Sequence, residues 1–373
     1  MSVADLSRLD EAIKEADRQL TVCNACRYCE GYCAVFPAME KRRLFDKGDV
    51  IYMANLCFEC RACYHACQFA PPHEYGINIP QALSAVRSET YAEFTGPRLL
   101  SKLLRGNGTL MALTVGLIVA LVFGSVLVIQ GADLLFEANT AEGAFFELVP
   151  YYAMVAPALL LSALWVGSFA VGALRFWRST GGSVSDLLDV RSFWKATKDA
   201  FGLEYLKGGG EGCTYPTGHF SQSRRWFHHA LVWGIALDFA STTVAAIYHN
   251  FLHRDAPYDY LSPPVVLGTA GGVLILVGVG GLLWLKRIAQ KEPAFKPMLA
   301  QDIIFLWLLL ATSASGIVLL TLRETAAMGT LLTVHLGIVA ALFLTLPYGK
   351  FAHVVYRYAA LIKYQIESKE AAH

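Results

Sequence analysis

The chain has 373 residues, of which 55% are hydrophobic and only 16% charged, and its mean hydropathy is +0.43. This composition is too apolar for a soluble protein of such length, so it predicts several membrane spans. The formal net charge is +1 and the sequence contains no basic strip with interleaved aromatic residues, so no nucleic-acid partner is expected.

The N-terminal residues are polar and include acids, so no cleavable export signal is expected. Residues 5–20 place Leu9, Ile13, Ala16 and Leu20 at helical spacing. This pattern predicts a short amphipathic helix that leads into the first cysteines.

Eight of the nine cysteines lie between residues 23 and 67, in two runs that share the spacing C-x2-C-x2-C-x3-C. This spacing is typical of bacterial-type [4Fe–4S] ligation, in which the fourth cysteine of a run serves the other cluster. Crossed ligation assigns one cluster to Cys23, Cys26, Cys29 and Cys67, and the other to Cys57, Cys60, Cys63 and Cys33. The sequence therefore predicts two [4Fe–4S] clusters.

Two other uses of cysteine fit this pattern poorly. A disulfide framework is not expected, because no export signal precedes the cysteines and cysteine is nearly absent elsewhere in the chain. A zinc site usually consists of two C-x2-C pairs separated by a spacer, not of triplets with a trailing cysteine.

The segments around the cysteines indicate helices. Residues 38–55, between the two runs, have no alternating strand pattern, which favours an α-helical two-cluster module over a strand-rich ferredoxin. Pro71-Pro72 ends regular structure, a helix is expected over residues 79–93, and Gly96-Pro97 opens the approach to the membrane. The predicted fold is all-α: a cytoplasmic ferredoxin-like domain over residues 1–105 and a transmembrane domain over residues 106–373.

Six stretches are long and apolar enough to cross a hydrocarbon core, which takes about 20 residues. They are residues 110–130, 150–174, 229–252, 263–285, 303–322 and 329–351. The loops on one side hold two Lys or Arg residues, whereas those on the other side, with Lys350, hold sixteen. The positive-inside rule therefore predicts that both termini are cytoplasmic, in the inner membrane of a prokaryote.

The cytoplasmic loop 175–228 is the longest connection after the first span. Its residues 184–206 mix apolar side chains with charges, which predicts a helix at the membrane interface. The ninth cysteine, Cys213, follows four nearby glycines and has no ligand spacing. Two interpretations stay open for it: a free thiol in a flexible loop, or a residue near a redox centre.

Histidines at the ends of the third and sixth spans are candidate ligands: His228, His229, His249, His335 and His353. Imidazoles at membrane depth mark functional sites, and histidine is a standard axial ligand of haem iron. On one continuous helix, His335 and His353 lie five turns and about 27 Å apart, and His228 and His249 about 31 Å apart. Antiparallel pairing then predicts two bis-histidine sites: His228 or His229 with His353, and His249 with His335.

These sites are predicted to hold b-type haem. The two histidine pairs predict two haems, and a single haem is the alternative. Histidines that are hydrogen-bonded in the core or reach to the interface need no cofactor at all. Two acids belong to the same region: Asp238 is interpreted as a proton carrier or a hydrogen-bonded acid, and Asp302 as the N-cap of the fifth span.

Taken together, these motifs resemble the tricarballylate utilisation protein B family, also called the citrate utilisation protein B family. The resemblance covers about residues 20–366 and rests on CNACRYCEGYC, CFECRACYHAC, PPHEYGINIP, RRWFHH, AAIYH, PVVLGTAGG and HLGIVAALFLTLPYGKFAH. The chain departs from the usual ferredoxin run because Ala34 and Gln68, not proline, follow Cys33 and Cys67.

The resemblance implies an electron-transfer protein with the eight cysteines as ligands and no substrate chemistry or catalytic residues of its own. Such a protein reoxidises the FAD of a partner similar to tricarballylate dehydrogenase, and passes electrons through the clusters and haem to quinone in the lipid bilayer. One alternative is a quinol-oxidising subunit that feeds a cytoplasmic reductase. Another is a membrane redox sensor.

Overall fold

The computed structural model describes residues 3–104 and 108–370, and every regular element in these ranges is helical. In the described part of the chain, Cys213 and Ser221 form an isolated β-bridge. The predicted all-α class is therefore confirmed. The predicted domain boundary, at residues 105–106, lies outside the described residues.

The N-terminal helices form a module around the two cysteine runs. They are α1 (Val3–Cys26), α2 (Val35–Glu40), α3 (Lys47–Leu56), α4 (Ala62–His65), α5 (Ile79–Phe94) and α6 (Arg98–Leu104). Asp46 and Asp49 form a capping box that begins α3, and the Asn78 side chain caps α5 by accepting from the Gln81 N–H. The linker between the cysteine runs is helical, as predicted.

Helices α1, α3 and α5 of the module pack around one apolar core. Leu20, Met53, Leu83 and Val86 in this core have no exposed surface. Burial of several such side chains, each worth about 1.5–3 kcal/mol, stabilises the frame from which the cysteine loops emerge. The loops are thereby fixed relative to one another.

The rest of the chain consists of long helices with short connections. They are α7 (Gly108–Phe136), α8 (Ala144–Leu148), α9 (Tyr151–Ser179), α10 (Val190–Gly202), α11 (Ser223–Leu252), α12 (Pro263–Ile288), α13 (Lys296–Leu322), α14 (Met328–Thr345) and α15 (His353–Glu370). Helices α7, α9, α11, α12, α13 and α14 are long and apolar enough to cross a membrane. The protein is thus a multi-pass membrane protein, with the predicted spans present as helices.

Glycines allow α11 and α12 to approach closely. A Cβ atom added to Gly278 of α12 would lie 2.6 Å from the Leu231 backbone nitrogen of α11. One added to Gly271 would lie 2.8 Å from the Gly234 carbonyl oxygen. Side chains at these positions would separate the two backbones, so the glycines are required for this contact.

The sixth span is shorter than predicted. Helix α14 ends at Thr345, and two 3₁₀ turns, Leu346–Tyr348 and Lys350–Ala352, separate it from α15. Pro347 supplies no N–H to a helix, and Gly349 is extended, so the helix cannot continue here. The prediction that one helix carries both His335 and His353 is therefore wrong.

Helix α15 packs against the cysteine module as well as against α9 and α10. Arg42 of the module pairs with Glu367 of α15 at 2.6 Å. The interfacial helix predicted over residues 184–206 is present as α10, flanked by the 3₁₀ turns Ser185–Leu188 and Glu204–Leu206. The module is thus held on one end of the helical bundle by the last helix of the chain.

Candidate metal and haem sites

The first group of cysteines is the outer quartet, which consists of Cys23, Cys26, Cys29 and Cys67. All four line a single cavity of about 230 Å³. Cys26 is exposed, and the neighbouring Tyr28 is 70% exposed, so the cavity lies at the surface of the module. The quartet draws three members from the first cysteine run and one from the second, which is the crossed pattern expected from the spacing.

The second group is the inner quartet, which consists of Cys33, Cys57, Cys60 and Cys63. The Cys63 side chain faces Cys60, Cys33 and Cys57, and the Cys33 side chain faces Cys60 and Cys57. Cys57 and Cys60 are buried, at 7% and 6% exposure. This group lies deeper in the protein than the outer quartet.

The loop between Cys57 and Cys60 turns sharply around the inner quartet. Glu59 and Arg61 both have positive φ, of 55° and 68°, in a region that few non-glycine residues adopt. This conformation directs the Glu59 N–H toward the Cys57 sulfur, at 3.4 Å. A backbone donor is therefore already aimed at a prospective ligand.

The thiols fit a cluster better than a single metal ion. Among the described residues, no three His, Cys, Asp or Glu side chains converge on a point suited to one ion. A zinc ion requires sulfur ligands at about 2.3 Å, whereas the outer quartet surrounds about 230 Å³. Burial and then the neighbouring cysteines raise the pKa of Cys23 and Cys29 to about 12, so a bound cation is needed to stabilise their thiolates.

Arginines hold the inner loop from several helices. Arg87 of α5 and Arg357 of α15 both donate to the Cys57 carbonyl oxygen, at 2.7 and 2.8 Å. Arg224 of α11 donates to the Glu59 carbonyl oxygen at 2.8 Å. The inner loop is thus tied both to the module and to the membrane domain.

A buried ion group lies where the module meets the bundle. Asp302 of α13 accepts from Lys286 and Lys350, at 2.9 and 3.0 Å. The predicted N-cap role of Asp302 is wrong, because α13 begins at Lys296 and places Asp302 within its second turn. Asp302 instead balances two lysines in a region of low exposure.

His228 and His353 face each other near the inner quartet. Their ring centroids are 6.3 Å apart and their ring planes are nearly perpendicular, at 88°. The His353 Nδ1–H donates to the Lys350 carbonyl oxygen at 2.6 Å, which leaves Nε2 available. The His228 Nδ1 atom is buried without a hydrogen-bond partner among the described residues.

The other candidate histidines have different surroundings. His229 contacts the Phe201 carbonyl oxygen at 3.1 Å, so it does not belong to the pair. His249 stacks on Tyr151 with ring centroids 3.7 Å apart, and its Nδ1 contacts Asp255 at 2.6 Å. His335 Nδ1 contacts the Ser315 hydroxyl at 2.9 Å. In the described part of the chain no ring contact joins His249 to His335, so their predicted pairing is not formed.

Cys213 lies beside the inner quartet with no exposed surface. Its thiol donates to the Leu206 carbonyl oxygen at 3.1 Å, and the adjacent Thr214 donates to the Cys60 carbonyl oxygen at 3.5 Å. The bridge to Ser221 pairs the backbone at this point. Cys213 is therefore a free thiol that is buried, and it lies near a prospective redox centre.

The sequence indicates Arg224 and Arg357 only as candidate partners of haem propionates, and it does not indicate Arg87 or the contacts of Lys286 and Lys350 with Asp302. One signal for two of them is visible: Arg224 precedes His228 by one helical turn, and Arg357 follows His353 by one turn. Each arginine therefore shares a helix face with one histidine of the pair. Without the fold, nothing in this spacing connects either arginine to the cysteines.

Comparison with known proteins agrees with this arrangement. Residues 16–93 match the family model described as the Citrate utilization protein B Fer4-like domain, and residues 103–373 match the model of Citrate utilization protein B. The chain is similar to Citrate utilization protein B of Escherichia coli, with 44% identity over 365 residues, 97% of this chain and 94% of the relative. No solved structure matches the chain.

The Fer4-like match and the two cysteine quartets together indicate an iron–sulfur protein with a role in electron transfer. The second match covers all six apolar helices. The chain therefore belongs to the citrate utilization protein B family.

Proposed function

We propose that this protein is a membrane-bound electron carrier that reoxidises the FAD of a partner dehydrogenase and passes the electrons to quinone. The partner in this proposal oxidises tricarballylate or a similar acid; the name of the Escherichia coli relative refers to citrate utilization. The two quartets each hold a [4Fe–4S] cluster, and His228 and His353 hold a b-type haem. When bound, these groups supply one-electron transfer, while the chain sets their positions and surroundings.

The observation that carries this proposal is the spatial order of the three sites. Cys29 and Cys33, and likewise Cys63 and Cys67, are four residues apart, so short segments of chain connect the two quartets. The inner loop is joined by Arg357 to the helix of His353, and by Arg224 to the helix of His228. The three sites therefore follow one another from the exposed face of the module to the histidine pair.

His228 and His353 are the residues that would hold the haem iron. Their ring centroids lie 6.3 Å apart, which leaves room for one metal ion between the two imidazoles. The Lys350 carbonyl oxygen fixes the His353 ring, as an outer hydrogen bond does for many metal-binding histidines. The proposal contains one haem, because His249 and His335 do not face each other.

The module is proposed to face the cytoplasm, with both termini on that side of the inner membrane of a prokaryote. The loops at the module end carry the sixteen Lys and Arg residues counted above, against two at the opposite end. A cytoplasmic flavoprotein can then reach the outer quartet, where Cys26 and Tyr28 are exposed.

Reconstitution of the full-length protein into quinone-containing liposomes tests the direction of electron flow. Tricarballylate and its FAD-dependent dehydrogenase, added on the module side, are expected to bleach the iron–sulfur absorbance, and oxidised menaquinone is expected to restore it. Reduction by menaquinol, with none by the flavoprotein, would instead indicate a quinol-oxidising subunit. If neither donor reduces the protein, a sensor is favoured. A pyridine haemochrome spectrum without a b-type band would remove the haem from the proposal.

A further inference from the structure

We infer that the inner quartet holds the cluster of higher reduction potential, because buried arginines bind its loop, whereas the described residues that line the outer cavity are uncharged. The inference rests on the proposed iron–sulfur function. It adds a direction of electron transfer, from the outer cluster to the inner one. The residues that act on the inner cluster are positioning residues: they touch its ligands or its loop.

The charge around the inner quartet is unbalanced. Arg87, Arg224 and Arg357 donate to carbonyl oxygens of the inner loop, and Arg61 of the same loop is buried. Glu59 lies 3.4 Å from Arg87 and 3.9 Å from Arg61, while Asp302 pairs with Lys286 and Lys350. The cations of this group therefore outnumber the carboxylates that contact them, and buried charge without a counter-charge is costly. A group with several negative charges, such as a cluster with its four thiolates, compensates them.

Cys213 places a thiol donor beside the inner quartet. Its thiol donates to the Leu206 carbonyl oxygen at 3.1 Å, and the adjacent Thr214 donates to the Cys60 carbonyl oxygen at 3.5 Å. An anionic Cys60 thiolate would be a stronger acceptor for the Cys213 proton than the Leu206 carbonyl oxygen. The Glu59 N–H supplies a further donor, to Cys57.

The outer quartet has different neighbours. The residues that line its cavity, besides the four cysteines, are Tyr28, Phe36, Ala66, Gln68 and Phe69, none of which is charged. The arginines that bind the inner loop therefore have no counterpart among the residues that line the outer cavity.

Reduction adds one negative charge to a cluster, so nearby cations and donors to sulfur raise the potential. Burial opposes this effect, because it disfavours the more highly charged reduced form. Fixed charges inside the protein are weakly screened, so in this proposal the excess of positive charge around the inner quartet outweighs the desolvation of one added electron. The inner cluster is therefore the acceptor for the outer one.

Redox titration of the full-length protein, followed by EPR, tests the order of potentials. Cys26→Ser removes a ligand of the outer quartet, and the signal that survives is expected to be the one of higher potential in the unaltered protein. Survival of the lower-potential signal would overturn the inference while leaving the proposed function intact. Absence of any [4Fe–4S] signal in the unaltered protein would instead contradict the proposed function.

Two pairs of variants identify the residues responsible. Arg224→Gln is expected to lower the reduction equilibrium constant of the inner cluster about tenfold, a shift of about 59 mV for one electron. Arg225→Gln is the matched control, because Arg225 donates to the Gly202 carbonyl oxygen instead. Cys213→Ala is expected to shift the same signal downward, and Cys213→Ser, which keeps a donor, to shift it less. Equal shifts of both clusters, or none in Arg224→Gln and Cys213→Ala, would overturn the assignment.

Discussion

Arg42 of the cysteine module donates to Glu367 of the last helix at 2.6 Å, across 325 positions of sequence. The same guanidinium pairs with Asp49, which caps α3. The Arg42 side chain is only 13% exposed and that of Glu367 only 17%. One arginine thus serves a local helix cap and the contact between the two ends of the chain.

Replacement of this arginine is expected to loosen the module. Arg42→Ala leaves Asp49 without its cation and Glu367 with only the longer contact to Lys363, at 3.9 Å, so we expect a loss of about 3 kcal/mol in the free energy of unfolding. Urea titration of the purified protein, with helicity as the signal, measures this. Arg43→Ala is the control: Arg43 is exposed, and its replacement is expected to cost under about 0.5 kcal/mol. Equal losses in the two variants would contradict the assigned role of Arg42.

The contact between α11 and α12 gives a second prediction. Gly278→Ala places a methyl group 2.6 Å from the Leu231 nitrogen and 2.7 Å from the Phe227 carbonyl oxygen, so the helices must separate. We expect a loss of about 1–3 kcal/mol, measured as a lower unfolding temperature in detergent. Gly280→Ala, on the same helix, adds a methyl group with no atom within 4 Å and should be nearly neutral. A neutral Gly278→Ala would rule out the close packing.

The histidine pair gives a third prediction. His228→Ala and His353→Ala should each abolish the b-type haemochrome band, because each removes one of the two facing imidazoles. His229→Ala should retain the band, since that ring contacts the Phe201 carbonyl oxygen. If the haemochrome band depended on His229 and not on His228, the assignment would be wrong. The iron–sulfur EPR signals serve as the folding control.

Crossed ligation gives a fourth prediction. Cys67 lies with Cys23 around the outer cavity, although it belongs to the second cysteine run. Cys67→Ser and Cys23→Ser should therefore impair the same EPR signal, and Cys33→Ser the other one. If Cys67→Ser and Cys57→Ser impaired the same EPR signal instead, each cysteine run would hold its own cluster.

Local signals in the sequence were sufficient for much of this architecture. The cysteine spacing indicates the two quartets because ligands of one cluster must lie close together along the chain and in space. Apolar runs indicate the spans for a similarly local reason, since each helix must be long enough by itself. The sequence positions of His228 and His353 indicate that the two rings face each other. His353, however, belongs to α15 and not to the sixth span.

Contacts between distant segments could not be predicted in this way. Arg357 reaches the Cys57 carbonyl oxygen over 300 positions, and nothing near either residue indicates the contact. The hydropathy pattern also does not reveal the end of α14, because Leu346-Pro347-Tyr348 is apolar and continues the preceding apolar stretch. Asp302 was misplaced because α13 begins in a charged segment, ahead of the apolar stretch that marked its start.

The interruption between α14 and α15 has a consequence for biogenesis. The first 94 residues leave the ribosome early, yet α15, which packs against α3 and carries His353, is synthesised last. Contacts between the module and α15 can therefore form only after the membrane helices have been made, whereas those with α9 and with Arg224 of α11 can form earlier. Until α15 is made, the module lacks one wall, and its arginine-bound loop lacks Arg357. Synthesis of α15 is thus the step that closes the inner site.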